Sequence, residues 1–124
     1  MSDDTSGELL LSIIELGGYP SFNALYQQAG YRVETRMSGR KALSFLKQRR
    51  PAVVVAEFNY QTDFRDRLSN LDSILATVQA MPETRVIVFY DREASGPLEQ
   101  LRKRFPGFHA LPFPVDEGAL RALL

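Results

Sequence analysis

Glu57 is the first residue of this chain to question for chemistry. It stands at the polar end of residues 51–59, Pro-Ala-Val-Val-Val-Ala-Glu-Phe-Asn. Such an unbroken β-branched run suits a strand covered on both faces in a parallel sheet, and in open parallel sheets ligands gather beyond the carboxyl ends of the strands. Gly17-Gly18 offers a second candidate, since a glycine turn before a helix can present backbone N–H groups to a phosphate. No lysine follows it and the Gly-x-Gly-x-x-Gly spacing is absent, so a plain turn is the better reading. His109 is the sole histidine, and with no cysteine anywhere it lacks the co-ligands a metal needs. A strand residue with a structural hydrogen bond is its natural role.

These residues must be positioned by regular elements, and the pattern supplies them in alternation. Residues 8–16, Glu-Leu-Leu-Leu-Ser-Ile-Ile-Glu-Leu, are too continuously apolar for an amphipathic helix and suit a buried strand. Phe22, Leu25, Tyr26 and Ala29 recur at helical spacing before Gly30. Residues 31–37 alternate as a half-exposed strand. Ser38 then caps a helix whose stripe is Ala42, Leu43, Phe45 and Leu46, ended by Arg49-Arg50 and Pro51. Residues 60–70 form a polar connection longer than usual after a strand, which predicts the least ordered internal segment, close to Glu57. Leu71, Ile74, Leu75 and Val78 mark a third helix, residues 85–90 a fourth strand, and Leu98, Leu101 and Phe105 a fourth helix opened by Ser95-Gly96-Pro97. Residues 108–113 make a fifth strand, and Asp116 caps a last helix. Five strands alternating with five helices give an α/β domain with helices on both faces of a parallel sheet.

Composition narrows the function classes. At 124 residues the chain is one domain, and its fifteen basic residues balance fifteen acidic ones, so no net field draws it to nucleic acid or to an anionic membrane. Arg49-Arg50, Arg65 with Arg67, and Arg102-Lys103-Arg104 lie in separate segments beside acids and read as solvated faces. No basic stripe with interleaved aromatics argues for nucleic-acid binding. Residues 1–7 are polar and acidic, read here as a disordered leader, and no apolar stretch is long enough to span a bilayer; a cytoplasmic protein is expected.

Residues 107–113, Gly-Phe-His-Ala-Leu-Pro-Phe, resemble the Gly-aromatic-x-x-Lys-Pro-Phe ending of bacterial response-regulator receiver domains, with the lysine replaced. The (βα)5 order, Gly30-Tyr31-Arg32-Val33, Gly39 with Ala42-Leu43, and the acid ending the third strand extend the resemblance over nearly the whole chain. It implies a flavodoxin-like, doubly wound α/β/α sandwich with strand order 2-1-3-4-5. It also implies an active site that this sequence has largely lost. The phosphoacceptor aspartate becomes Glu57, and the acid pair at the end of the first strand is reduced to Glu15 after Ile13-Ile14. The phosphate-reading hydroxyl falls at Phe89 or Tyr90, the switch aromatic at Phe108, and the lysine at Leu111.

Phosphoryl transfer works by positioning and charge neutralisation, so losing metal-holding carboxylates and the lysine removes most of the catalysis. Read this way the domain is not an enzyme and takes no metal or cofactor. Glu57 is a solvated or hydrogen-bonded strand-end acid in preference to a standing phosphate mimic. The resemblance places partner docking or homodimerisation on the face of the fourth helix, fifth strand and fifth helix, here Glu99, Arg102, Lys103, His109 and Arg121. It also implies a cis Leu111–Pro112 bond and, because the last helix is short, an output domain beyond residue 124. The alternative is a flavodoxin-like domain holding a phosphate-bearing small ligand at Gly17, Gly18, Glu57 and the long connection.

Overall fold

The computed structural model describes residues 8–14, 22–58 and 70–124. Glu15, Gly17, Gly18, the leader and connection 59–69 lie outside the described residues, so the expectations placed on them are not addressed by the structure. Among the described residues five strands and five helices alternate: β1 (Glu8–Ile13), α1 (Asn23–Gln28), β2 (Tyr31–Arg36), α2 (Gly39–Gln48), β3 (Val53–Phe58), α3 (Asn70–Val78), β4 (Arg85–Tyr90), α4 (Ser95–Arg104), β5 (His109–Pro112) and α5 (Glu117–Leu123). A short 3-10 turn, Arg92–Ala94, leads into α4. The strands form one parallel sheet in the order β2-β1-β3-β4-β5.

The central strand shows why the sequence folds this way. All six residues of β3 are buried, and their side chains alternate between two cores. Val54, Ala56 and Phe58 join Leu46, Ile74 and Leu101 on the side of α2, α3 and α4. Val53 and Val55 join Leu25, Tyr26 and Leu120 on the side of α1 and α5. Each helix therefore needs only one apolar stripe, which is what the spacing provides.

Local chemistry fixes the helix ends. The Ser38 hydroxyl accepts from the Lys41 N–H at 3.2 Å, and an Asp116 carboxylate oxygen accepts from the Ala119 N–H at 2.8 Å. Gly30, at φ 98°, leaves α1 through the left-handed region, where a side chain would be strained. At the far end of the chain the Tyr31 hydroxyl donates to the Leu124 carbonyl at 3.0 Å and the Arg85 guanidinium to the Leu123 carbonyl at 2.8 Å. Carbonyls of the last helical turn that lack intrahelical donors are thereby satisfied.

Three expectations need correction. β1 stops at Ile13 and not at Leu16, and β5 begins at His109, so Phe108 is buried in the core just ahead of the strand. The cis bond is Phe113–Pro114 and not Leu111–Pro112. Pro112 still belongs to the ladder, opposite Tyr90, and the chain leaves the sheet only after Phe113, whose N–H donates to the Tyr90 carbonyl at 2.8 Å. An edge strand tolerates a proline that donates no ladder hydrogen bond.

Candidate functional site

The ladder sets Glu57 of β3 beside Phe89 of β4, and Phe89 beside Leu111 of β5. These three residues form one row across adjacent strands, on the face that packs against α1 and α5. The receiver resemblance assigns these three positions to an acid, a hydroxyl and a lysine, although the cis bond that should follow the lysine position comes after Phe113 and not after Leu111. Tyr90 is one place further along and half-buried.

Of the two roles the sequence left for Glu57, solvated or hydrogen-bonded, burial removes the first. Glu57 is 6% exposed, and it does not stand isolated there. Helix α1 provides the cover: Phe22 packs edge-on against Phe89, with ring centroids 5.7 Å apart, and Tyr26 is buried beneath it. A cavity of about 20 Å³ remains among Ser12, Ile14, Asn23, Tyr26, Glu57 and Phe89. That volume is room for about one water molecule. Burial also pushes the Tyr26 phenol well above its ordinary value, so it stays protonated and neutral. Ser12 and Asn23 were not singled out from the sequence. Ser12 could have been, as the one polar residue inside the apolar run of β1.

The described part of the lining offers a divalent cation few ligands. Hard cations need several oxygen ligands with partly retained waters, and the described lining supplies one carboxylate among apolar side chains, a hydroxyl and an amide. Among the described residues no group of three or more acidic, histidine or cysteine side chains is placed to hold a metal. Among the described residues no lysine or arginine lines the cavity. A larger open cleft, about 670 Å³, lies at the opposite end of the sheet beside Glu8, Arg50, Pro82 and Arg85. We take the carboxyl end as the candidate site, because strand ends and helix starts converge there.

The remaining predicted residues sit on the edge formed by α4, β5 and α5. Glu99, Lys103, His109 and Arg121 are exposed. Arg102 is half-buried: its guanidinium donates to the Phe108 carbonyl at 3.0 Å, lies 4.6 Å from the centre of the Phe108 ring and approaches Glu99 at 3.8 Å. Phe108 itself is 4% exposed. The aromatic at the family's switch position is therefore closed over by a side chain of α4.

Comparison with solved structures decides the fold. A response regulator receiver protein from Sinorhizobium medicae superimposes with a TM-score of 0.73 at 17% identity, covering 96% of this chain and 92% of that one. A receiver domain from Clostridium thermocellum gives 0.73 at 19%, covering 94% and 90%. The chemotaxis protein CheY4 of Vibrio cholerae gives 0.70 at 20%, covering 95% and 99%. This chain has the receiver-domain fold. At these identities the likeness carries the receiver architecture and not its activity. No protein-family model and no curated protein sequence matches the chain. Among the described residues no helix of the receiver fold here is long and apolar enough to cross a membrane.

Proposed function

We propose that this domain is a receiver-fold interaction module of bacterial signal transduction that works in the cytoplasm without being phosphorylated. The observation that carries the reading is the row Glu57, Phe89, Leu111 under α1. An incoming phosphoryl group has to reach the acid, and about 20 Å³ of space holds a water but not three phosphoryl oxygens. The developing charge would meet Phe89 and Leu111 where a hydroxyl and a cation are needed. Burial also argues against Glu57 as a standing phosphate mimic, since a partner can read only a charge it can reach.

The docking face we assign is the edge of α4, β5 and α5, where Glu99, Lys103, His109 and Arg121 project and Arg102 holds Phe108 in place. A protein partner or a second copy would use it. Incubation with acetyl phosphate and Mg²⁺ followed by mass spectrometry is expected to leave the chain unmodified. A base-labile, Mg²⁺-dependent phosphate on any carboxylate would sink the reading. Sedimentation velocity of the chain and of a Lys103→Glu, Arg121→Glu variant tests the face, with self-association expected only in the parent. A monomer in both, unchanged by concentration, removes the second copy as its occupant.

A further inference from the structure

The zero net charge of this chain conceals a segregation. Residues 32–50, which make up β2 and α2, carry seven of the fifteen basic residues and one acid, Glu34. Arg40, Lys41 and Lys47 are exposed on α2, which contains no acid and therefore none of the i,i+4 pairs that usually neutralise a surface helix. Arg49 and Arg50, also exposed, extend the charge past its end. Among the described residues the ion pairs join Arg36 to Glu34, Arg102 to Glu99 and Arg104 to Asp72, so those five cations are unanswered.

Two further features give this face a shape. Arg36, at the end of β2, and Arg49, past the end of α2, converge on one ring: their guanidinium carbons lie 4.8 and 5.8 Å from the centre of Phe45. Arg36 is answered by Glu34, whereas Arg49 brings a second positive charge to the same ring with no carboxylate of its own. Met37, between β2 and α2, is 61% exposed, the most exposed large apolar side chain described. A methionine standing among arginines is an adaptable apolar anchor point.

We propose that the β2–α2 face docks an acidic protein segment bearing a hydrophobic anchor, seated with the anchor on Met37 and its carboxylates along Arg40, Lys47 and Arg49. Charge complementarity selects the acidic partner, and Met37 selects protein over nucleic acid. The aromatic ring of the face, Phe45, is 7% exposed and roofed by guanidiniums, so no base can stack on it. This surface is separate from the edge of α4, β5 and α5, and it holds whether or not Glu57 is ever phosphorylated.

The test is fluorescence anisotropy of the full chain at low salt with three labelled probes: a peptide of glutamate interspersed with leucine, its glutamine counterpart, and an oligothymidine. The glutamate peptide is expected to bind and the glutamine peptide not. Arg40→Glu with Lys47→Glu should weaken binding about tenfold or more, and Met37→Ser about threefold. All three substitutions are at exposed positions, and glutamate is a good helix former, so the fold is kept. No binding of the glutamate peptide, equal binding of the glutamine peptide, an unchanged affinity in the charge-reversed variant, or tighter binding of oligothymidine would each overturn the proposal.

Discussion

Arg102→Ala tests whether Phe108 is held by α4. The lost contacts are one hydrogen bond to a main-chain carbonyl at 3.0 Å, a guanidinium 4.6 Å from a ring centre, and an ion pair at 3.8 Å. Hydrogen bonds to charged groups contribute about 1.5–3 kcal/mol when buried, and this one is only partly so, which leaves about 1 kcal/mol. The ring contact adds about 0.5 kcal/mol at partial exposure, and the ion pair with a mostly exposed Glu99 adds next to nothing. The expected loss is about 1–2 kcal/mol, which for a domain of this size lowers Tm by roughly 4–8 °C. Urea denaturation measures it, and a cycle with Phe108→Leu isolates the ring contact as a coupling of about 0.5 kcal/mol. Arg102→Lys keeps the charge beside Glu99 but not the planar stack, and should recover less than half of the loss. Zero coupling in the cycle, or an Arg102→Ala loss under about 0.3 kcal/mol, would refute the idea that this arginine fixes the aromatic.

Two shorter expectations follow from buried or capped groups. The Tyr26 phenol is raised above its unfolded value of 10.0, so the folded state keeps its proton where the unfolded state releases it. Its contribution is full below pH 10 and declines as pH rises beyond that; urea midpoints from pH 7 to 11 should fall less steeply in Tyr26→Phe than in the parent. Asp116→Ala removes the carboxylate that accepts from the Ala119 N–H, and should cost about 1 kcal/mol, seen as a lower urea midpoint, with Asp116→Asn recovering most of it.

How much of this was legible in the sequence depended on the range of the interaction. The unbroken apolar run of Val53, Val54, Val55 and Ala56, and the caps at Ser38 and Asp116, are local patterns, and the fold followed from them. Burial of Glu57 was not legible, because it is the end of a strand and reads as polar. Its cover comes from Phe22 and Tyr26 on a different element, whose spacing announces a helix but not where that helix lands. The cis bond was misplaced because the family motif set it at Leu111–Pro112, whereas Pro112 pairs with Tyr90 in the ladder and the cis bond follows at Phe113–Pro114. The basic character of residues 32–50 was open to simple counting by segment, yet it vanishes in the total charge, and Arg36 and Arg49 meet at Phe45 only once α2 folds back along β2.

The row across the strand ends connects the stability of the domain to the way it can signal. A hydroxyl and a lysine at the positions of Phe89 and Leu111 would be polar groups needing partners, and their pairing could change when an anion arrived. Phe89 and Leu111 instead extend the apolar core of α1 and α5 to the end of the sheet, which excludes water and removes that source of differential binding. A ligand shifts a conformational equilibrium only as far as it favours one state over the other, and on the proposed reading a row of packed side chains offers an incoming phosphoryl group no favoured state. Arg102 over Phe108 works in the same direction at the edge of β5. On the two proposals, selectivity would rest on the standing surface, on charges such as Lys103 and Arg121 or Arg40 and Lys47 that need no switching to be read. Reversing their sign should change which partner binds while leaving the fold unaltered.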